Sequence, residues 1–234
     1  MSDPRLKQAY FRRDHDPAVA ARDSLLSPAT VRMLAQRQVV MWSLLAEVGW
    51  TPSNIGHRRV LEIGCGDGGN LLDLIRGGCS PGNLTGVELL PERAAMARSR
   101  LPAACTVTEG DFTQRAAEHT GQDLIVCFTV MSSLLNEADR ERLAAAAWRQ
   151  LAPGGVVLLY DFIVDNPRNP DVKGVKPDSF SRWWPQAQRI VLRRLTLAPP
   201  LARRLGWATP WAYGLLAALP GLCLHRMVAV VKGT

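Results

Sequence analysis

Apolar residues along this chain follow two rhythms. Short runs at 60–63, 84–87, 105–108, 123–128, 156–162 and 224–232 are too brief for helices, and their largely unbroken apolar character predicts strands buried in a sheet. Between them lie longer amphipathic stretches. Met33, Leu34, Val40, Met41, Leu44 and Leu45 approximate a one-sided stripe that predicts a helix over 28–48. Helices are also expected over 69–75, after a glycine-rich loop, and over 91–98, opened by Pro91. A further helix closes at 151–155, where proline and paired glycines stop it before the fifth strand. Strand and helix in alternation predict one α/β domain, with 1–57 as an added helical cap and 58–234 as the main body.

The transition from the first strand to its helix, residues 60–70, carries the strongest chemical signal. Gly64, Gly66 and Gly68 let the backbone turn tightly and come closer to a ligand than any Cβ would permit, and the next helix aims its first amides at the same space. The spacing of Gly64, Gly66 and Gly69 also fits a dinucleotide fingerprint. Glu62 argues against that reading. A carboxylate just before the loop repels a pyrophosphate and favours a cationic amino-acid or sulfonium ligand.

The following strand ends change the picture further. Glu88 closes the second strand, where a ribose diol could donate both hydroxyls to one carboxylate in charge-assisted bonds. After the third strand, Asp111 offers an acceptor for an exocyclic amine, and Phe112 offers an aromatic face. Both have plainer uses as well, Asp111 as an N-cap ahead of Thr113 and Phe112 as a core aromatic.

Composition narrows the class. A chain of 234 residues with 47% hydrophobic content can bury a full core. Its cysteines, at 65, 79, 105, 127 and 223, form no C-x-x-C pair and read as reduced thiols. Histidines at 15, 57, 119 and 225 show no metal-ligand spacing, so no metal is expected. The polar N-terminus and the lack of a long apolar run suggest a cytoplasmic protein without a transmembrane segment.

With these motifs in order across residues 58–164, the chain resembles the class I S-adenosylmethionine (SAM) dependent methyltransferases, of the type 11 kind. The resemblance implies SAM as cofactor and a Rossmann-like, doubly wound sheet of seven strands with a reversed last strand, for which 224–232 is the candidate. It also implies a cofactor site made from Glu62, Gly64, Cys65, Gly66, Asp67, Glu88, Leu89, Asp111, Phe112 and Phe128. Leading helices in such proteins often close over the cofactor, which makes Tyr10, Phe11, Arg12 and Arg37 lid candidates, although a helix simply packed on the sheet serves as well.

Beyond the fifth strand, the Asn-Pro and Asp content of 161–174 predicts a loop at the ligand edge of the sheet. Asp161 and Asp165 are the expected general bases for a hydroxyl acceptor, with His15 and His225 behind them. Asn166 and Asn169 are expected to bind substrate, within an acceptor-side stretch of loop and helices spanning 165–223. The tail from 179 onward has no carboxylate and carries much of the net charge of +7, interleaved with Trp183, Trp184, Trp207 and Trp211. An anionic small substrate, an acidic membrane surface or nucleic acid would each suit it, as would a solvated basic face. The stretches Tyr160-Asp-Phe162, Asn166-Pro-Arg-Asn169-Pro, Leu197-Ala-Pro-Pro-Leu201 and Leu219-Pro-Gly-Leu-Cys-Leu-His225 are similar to methyltransferases associated with glycan and envelope biosynthesis.

Other chemistries lack their marks. No Asn/Asp-Pro-Pro-aromatic turn follows the fourth strand, no Pro-Cys pair occurs, and no tyrosine at 10, 160 or 213 has a lysine four residues on. The expectation is therefore O-methylation of a small-molecule or glycan hydroxyl. RNA or a lipid-linked intermediate is the alternative acceptor, with nucleic acid disfavoured. A non-catalytic SAM-binding scaffold is the alternative from another class.

Overall fold

The computed structural model describes residues 4–166 and 169–234, so Pro167 and Arg168 of the Asn-Pro-Arg-Asn motif lie outside the described residues, as does the Trp207 side chain. Three helices lead: α1 (Pro4–Asp14), α2 (Pro17–Asp23) and α3 (Pro28–Glu47). Strands and helices then alternate through β1 (Val60–Ile63), α4 (Gly69–Arg76), β2 (Leu84–Glu88), α5 (Pro91–Arg100), β3 (Thr106–Glu109), α6 (Phe112–Arg115), β4 (Gln122–Phe128), α7 (Glu137–Gln150) and β5 (Leu151–Phe162). The chain finishes with α8 (Pro177–Trp183), β6 (Ala187–Leu197), α9 (Pro199–Arg204), α10 (Thr209–Ala217) and β7 (Cys223–Lys232).

The strands form one seven-stranded sheet in the order β3-β2-β1-β4-β5-β7-β6. The first five run parallel, and β7 inserts antiparallel between β5 and β6. This is the expected doubly wound sheet with a reversed last strand. Chain order reverses between β1 and β4, which opens a crevice at their carboxyl ends. Every residue of β1 is buried because apolar layers cover both faces. One layer joins α3, α4 and α5 residues such as Leu44, Leu71 and Ala97 to the sheet, and the other joins Leu143, Ala147 and Trp184 from the α7 and α8 side.

Two elements differ most from the sequence reading. β5 starts at Leu151, which pairs with Gln122 ahead of an irregularity in the register, so Pro153, Gly154 and Gly155 lie within the strand. Gly154 takes a positive φ of 73°, and a Cβ on Gly155 would stand 2.8 Å from the Gln122 carbonyl. Glycines fill the bulge because side chains do not fit it. The second difference is β6, an edge strand whose outward arginines hide its apolar alternation. Arg189 and Arg193 both pair with Glu47 of α3.

α3 belongs to the body. Met41, Leu44 and Leu45 sit in the core, and Gln36 accepts hydrogen bonds from the Thr196 amide at 2.8 Å and the Tyr213 hydroxyl at 2.9 Å. α1 instead bridges. Asp14 accepts two hydrogen bonds from Arg93 at 2.6 and 2.7 Å on one side, and Tyr10 bonds Ser133 on the other.

Candidate active site

The carboxyl ends of β1 to β4 enclose a cavity of about 830 Å³, roofed by α1 and bordered by α3. The glycine loop forms its floor. Gly64, Gly66 and Gly68 hold φ values of 69°, 56° and 85°, which side-chain-bearing residues rarely adopt. A Cβ on Gly64 would strike Val130 at 2.6 Å, whereas one on Gly66 would meet nothing within 4 Å and would enter the cavity itself.

Glu88 ties the loop in place. Its Oε2 accepts from the Gly66 amide at 2.8 Å and its Oε1 from the Leu90 amide at 2.9 Å. Each oxygen keeps a further lone pair for a hydroxyl from the cavity, which Glu88 and Leu89 both border. Asp111 also borders it while capping α6, its Oδ1 accepting from the Thr113 amide at 2.9 Å and hydroxyl at 2.7 Å. Phe112 likewise has two surroundings, since it lines the cavity and packs in the core beside His119. Asp67 borders the cavity from the outside of the loop and is ion-paired with Arg100. The backbone of Cys65 is part of the floor, but its thiol turns into the core against Gly86, and burial raises its pKa.

Glu62 lies one layer below the cavity. It is fully buried, accepts from Asn70 Nδ2 at 2.6 Å through Oε1, and has no partner on Oε2 among the described residues. Asn70 passes the polarity upward, because its Oδ1 accepts from Arg37 Nη2 at 2.7 Å, and both Asn70 and Arg37 line the cavity. Burial pushes the Glu62 carboxyl up to about 8, against the opposing pull of Asn70 and Arg37. Arg37 also lies over the rings of Phe128 and Tyr160, at 5.4 and 5.7 Å. Phe128 borders the cavity from the end of β4.

The expected acceptor-side residues stand elsewhere. Asp161 does not border the cavity. It is buried behind β4, where Oδ2 accepts from the Ser132 amide and Oδ1 from the Phe162 amide, each at 3.0 Å. Burial raises its pKa to about 6. Asp165 accepts from the Gly174 amide at 2.8 Å, and Asn169 accepts from the Asp171 amide at 3.0 Å. These bonds fix the loop after β5, and none of Asp161, Asp165, Asn166 and Asn169 lines the cavity. The loop expected to supply base and substrate ligands thus stands apart from the cavity, with backbone amides occupying its carboxylates. His225 is also remote, stacked on Tyr160 and held neutral by burial, which lowers its pKa to about 3. Among the lid candidates, Tyr10 and Arg37 line the cavity, whereas Phe11 is 55% exposed and Arg12 reaches Asp171.

Ser133, Thr129 and Asn70 also shape the cavity, though no sequence motif marks the first two. Ser133 Oγ donates to the Thr129 carbonyl at 3.0 Å, so the Tyr10 hydroxyl, 2.8 Å away, must be the donor in its bond with Ser133. That leaves the Tyr10 lone pairs for a ligand. Thr129 itself holds a φ of 57°, strained for a β-branched residue, and the turn aims its carbonyl at Ser133. Asn70 could have been found, since it sits one position into the helix that opens on the loop.

Residues 60–155 match the family model described as a methyltransferase domain. No curated protein matches the chain in sequence. Its fold is similar to that of magnesium protoporphyrin IX methyltransferase from Synechocystis PCC 6803, solved with bound S-adenosylhomocysteine, at a TM-score of 0.60 and 13% identity, covering 98% of this chain and 95% of that one. A SAM-dependent methyltransferase from Archaeoglobus fulgidus aligns at a TM-score of 0.53 and 13% identity, over 82% of this chain and 99% of the other. Phosphoethanolamine N-methyltransferase 2 from Haemonchus contortus, in complex with SAM, aligns at 0.54 and 18% identity, over 76% of this chain and 49% of its own.

Proposed function

We propose that this chain, which carries a methyltransferase domain at residues 60–155 on the class I SAM-dependent methyltransferase fold, transfers a methyl group from SAM to a hydroxyl of a small molecule or glycan. The observation that carries this reading is the convergence of Gly66, Glu88, Asp111 and the Asn70–Arg37 pair on one cavity. The residues fit the cofactor. Gly66 leaves open the space that a side chain would fill, Glu88 retains acceptor capacity for a ribose diol, and Asp111 can accept from an adenine amine. Arg37 suits the carboxylate of the methionine end, while Glu62, through Asn70, suits its ammonium and sulfonium.

When bound, SAM supplies a methyl carbon on a positively charged sulfur, an already activated leaving group. The chain's task is then alignment and exclusion of water, which can supply on the order of 7–11 kcal/mol. Tyr10 is suited to that task. With its proton committed to Ser133, its oxygen can accept from an acceptor hydroxyl and point the acceptor's lone pair into the cavity. Burial raises the Tyr10 pKa, so it orients the hydroxyl without removing its proton. Transfer would leave S-adenosylhomocysteine and the acceptor's methyl ether, and the acceptor's proton would have to pass to water at the mouth of the cavity.

The test is transfer of labelled methyl from SAM into panels of hydroxyl and amine acceptors, with the product's methylated atom mapped by mass spectrometry. Label in ethers supports the reading, and label confined to amines overturns its O-methyl part. Cofactor binding without turnover across extracts would favour the scaffold instead.

A further inference from the structure

The end of the molecule farthest in sequence from the glycine loop displays large apolar side chains that are mostly exposed. Along α10, Thr209 and Tyr213 face inward, while Trp211 and Leu215 are 73% and 76% exposed on one stripe that Leu219 continues. The N-terminal end of α3 packs beside this helix: Ala29 shares a small core with Ala202 and Tyr213, and Arg32 donates to the Pro210 carbonyl at 3.1 Å. This end of α3 brings its own projections, with Leu26 at 95% exposure just before it, and Leu25 and Val31 alongside. Isolated exposed leucines are common, but a tryptophan and several aliphatics on adjoining elements make a patch that calls for a partner.

Charge identifies the partner. The two segments that build the patch, 24–46 and 179–234, contain no Asp or Glu at all. Arg32 and Arg204 are exposed on them, and Arg203 meets the neighbouring Asp23. A second copy of the chain would set these cations against their own kind. An apolar face whose own segments carry no acid, with a tryptophan and flanking arginines, is suited to lie in the headgroup region of an anionic bilayer.

We propose that the N-terminal end of α3 and the outer stripe of α10 form a docking face for anionic lipid bilayers. Leu25 and Val31 belong both to this patch and to the border of the 830 Å³ cavity. Docking therefore brings the cavity rim to the headgroup level, where a membrane-borne acceptor could reach it. No helix among the described residues is long and apolar enough to cross a membrane, so attachment through this face is peripheral.

The experiment is co-sedimentation of the full chain with phosphatidylglycerol-containing vesicles and with pure phosphatidylcholine vesicles. It needs no cofactor, so its outcome is independent of the methyl-transfer reading. Preferential partition to the anionic vesicles, weakened by salt, is the expected result. The W211S/L215S variant should lose at least about tenfold in partition, and R32Q/R204Q should lose the preference for anionic lipid. Because changes on α10 could disturb folding, L26S in the adjoining loop is the second variant, expected to weaken partition severalfold with an unchanged circular dichroism spectrum. Absence of partition, equal partition by folded variants, retention on RNA without vesicle binding, or a dimer that protects Trp211 from quenching would each overturn the proposal.

Discussion

Acidic and amide side chains cluster in two places, and they do different work. Around the glycine loop, Glu88 and Asp111 accept backbone amides yet still border the cavity, so they serve the fold and a ligand together. At the end of β5 and in the segment after it, Asp161, Asp165 and Asn169 also accept amides, but they point into the protein or along their own loop. The difference lies in the backbone. At the loop, positive-φ glycines keep the main chain low and leave room above it. After β5, the described residues form no such cradle and use their polar groups to hold their own turns.

The harshest way to break this contrast is to fill the cradle. Gly66→Val projects into open cavity space at a φ of 56°, so it both strains the loop and occupies the floor. SAM affinity should fall by about 100-fold or more, roughly 2.7 kcal/mol. Calorimetry with SAM and S-adenosylhomocysteine, on protein whose thermal transition persists, reads the effect. Near-native affinity would mean that the cofactor does not lie over Gly66.

Glu62 sharpens the same side. Its folded-state pKa of about 8 exceeds the ordinary 4.5, so between those values the folded chain holds a proton that the unfolded chain has lost. Its burial therefore lowers stability progressively as pH rises from 4.5 to 8, by about 1.4 kcal/mol for each pH step of one. Glu62→Gln should stabilise the cofactor-free protein by a few kcal/mol at pH 9, with the gain shrinking toward pH 4.5, as denaturation at several pH values would reveal. Native SAM affinity should rise with pH across that interval, because a cationic ligand favours the ionised carboxylate. The variant should lack this slope.

These two positions also explain what was legible in the sequence. Glu62, the glycines and Glu88 are readable because the loop needs particular residues at fixed spacing, and β1, β2, β4 and α3 are readable because their apolar patterns are strong. β6 was not, because Arg189, Arg193 and Arg194 on an edge strand resemble a basic tail until Glu47 is seen to absorb the first two. Much of the tail's charge is similarly occupied, with Arg182 on Glu137 and Lys232 on the Trp148 and Leu151 carbonyls. Nor could sequence reveal which aspartates face a ligand, since Asp111 and Asp161 both end a strand or its turn and differ only in what packs beyond them. The Tyr10–Ser133 contact spans 123 positions, with no local pattern to announce it.

On the other side of the comparison, Asp161→Asn tests whether a buried carboxylate at the end of β5 holds structure alone. The amide's NH₂ end cannot accept from the Ser132 or Phe162 amide, so one buried donor is left without a partner, at a cost of about 1–3 kcal/mol. Turnover per folded molecule should stay within twofold of the native value, with an unaltered pH profile. A collapse of turnover with stability preserved would return Asp161 to the reaction.

Tyr10→Phe gives the smallest expected effect and the finest discrimination. The ring keeps its place under Arg93, whose guanidinium lies 4.4 Å from the ring centre, and α1 keeps its bonds between Asp14 and Arg93. Only the oxygen disappears, and Ser133 retains its own bond to Thr129. If Tyr10 orients the acceptor, the KM for acceptor should rise about three- to tenfold, up to about 1.4 kcal/mol, with SAM affinity unchanged. If α1 merely covers the cofactor, any loss should fall on SAM instead. Steady-state kinetics with each substrate varied in turn distinguishes a helix that takes part in acceptor recognition from one that only closes the roof.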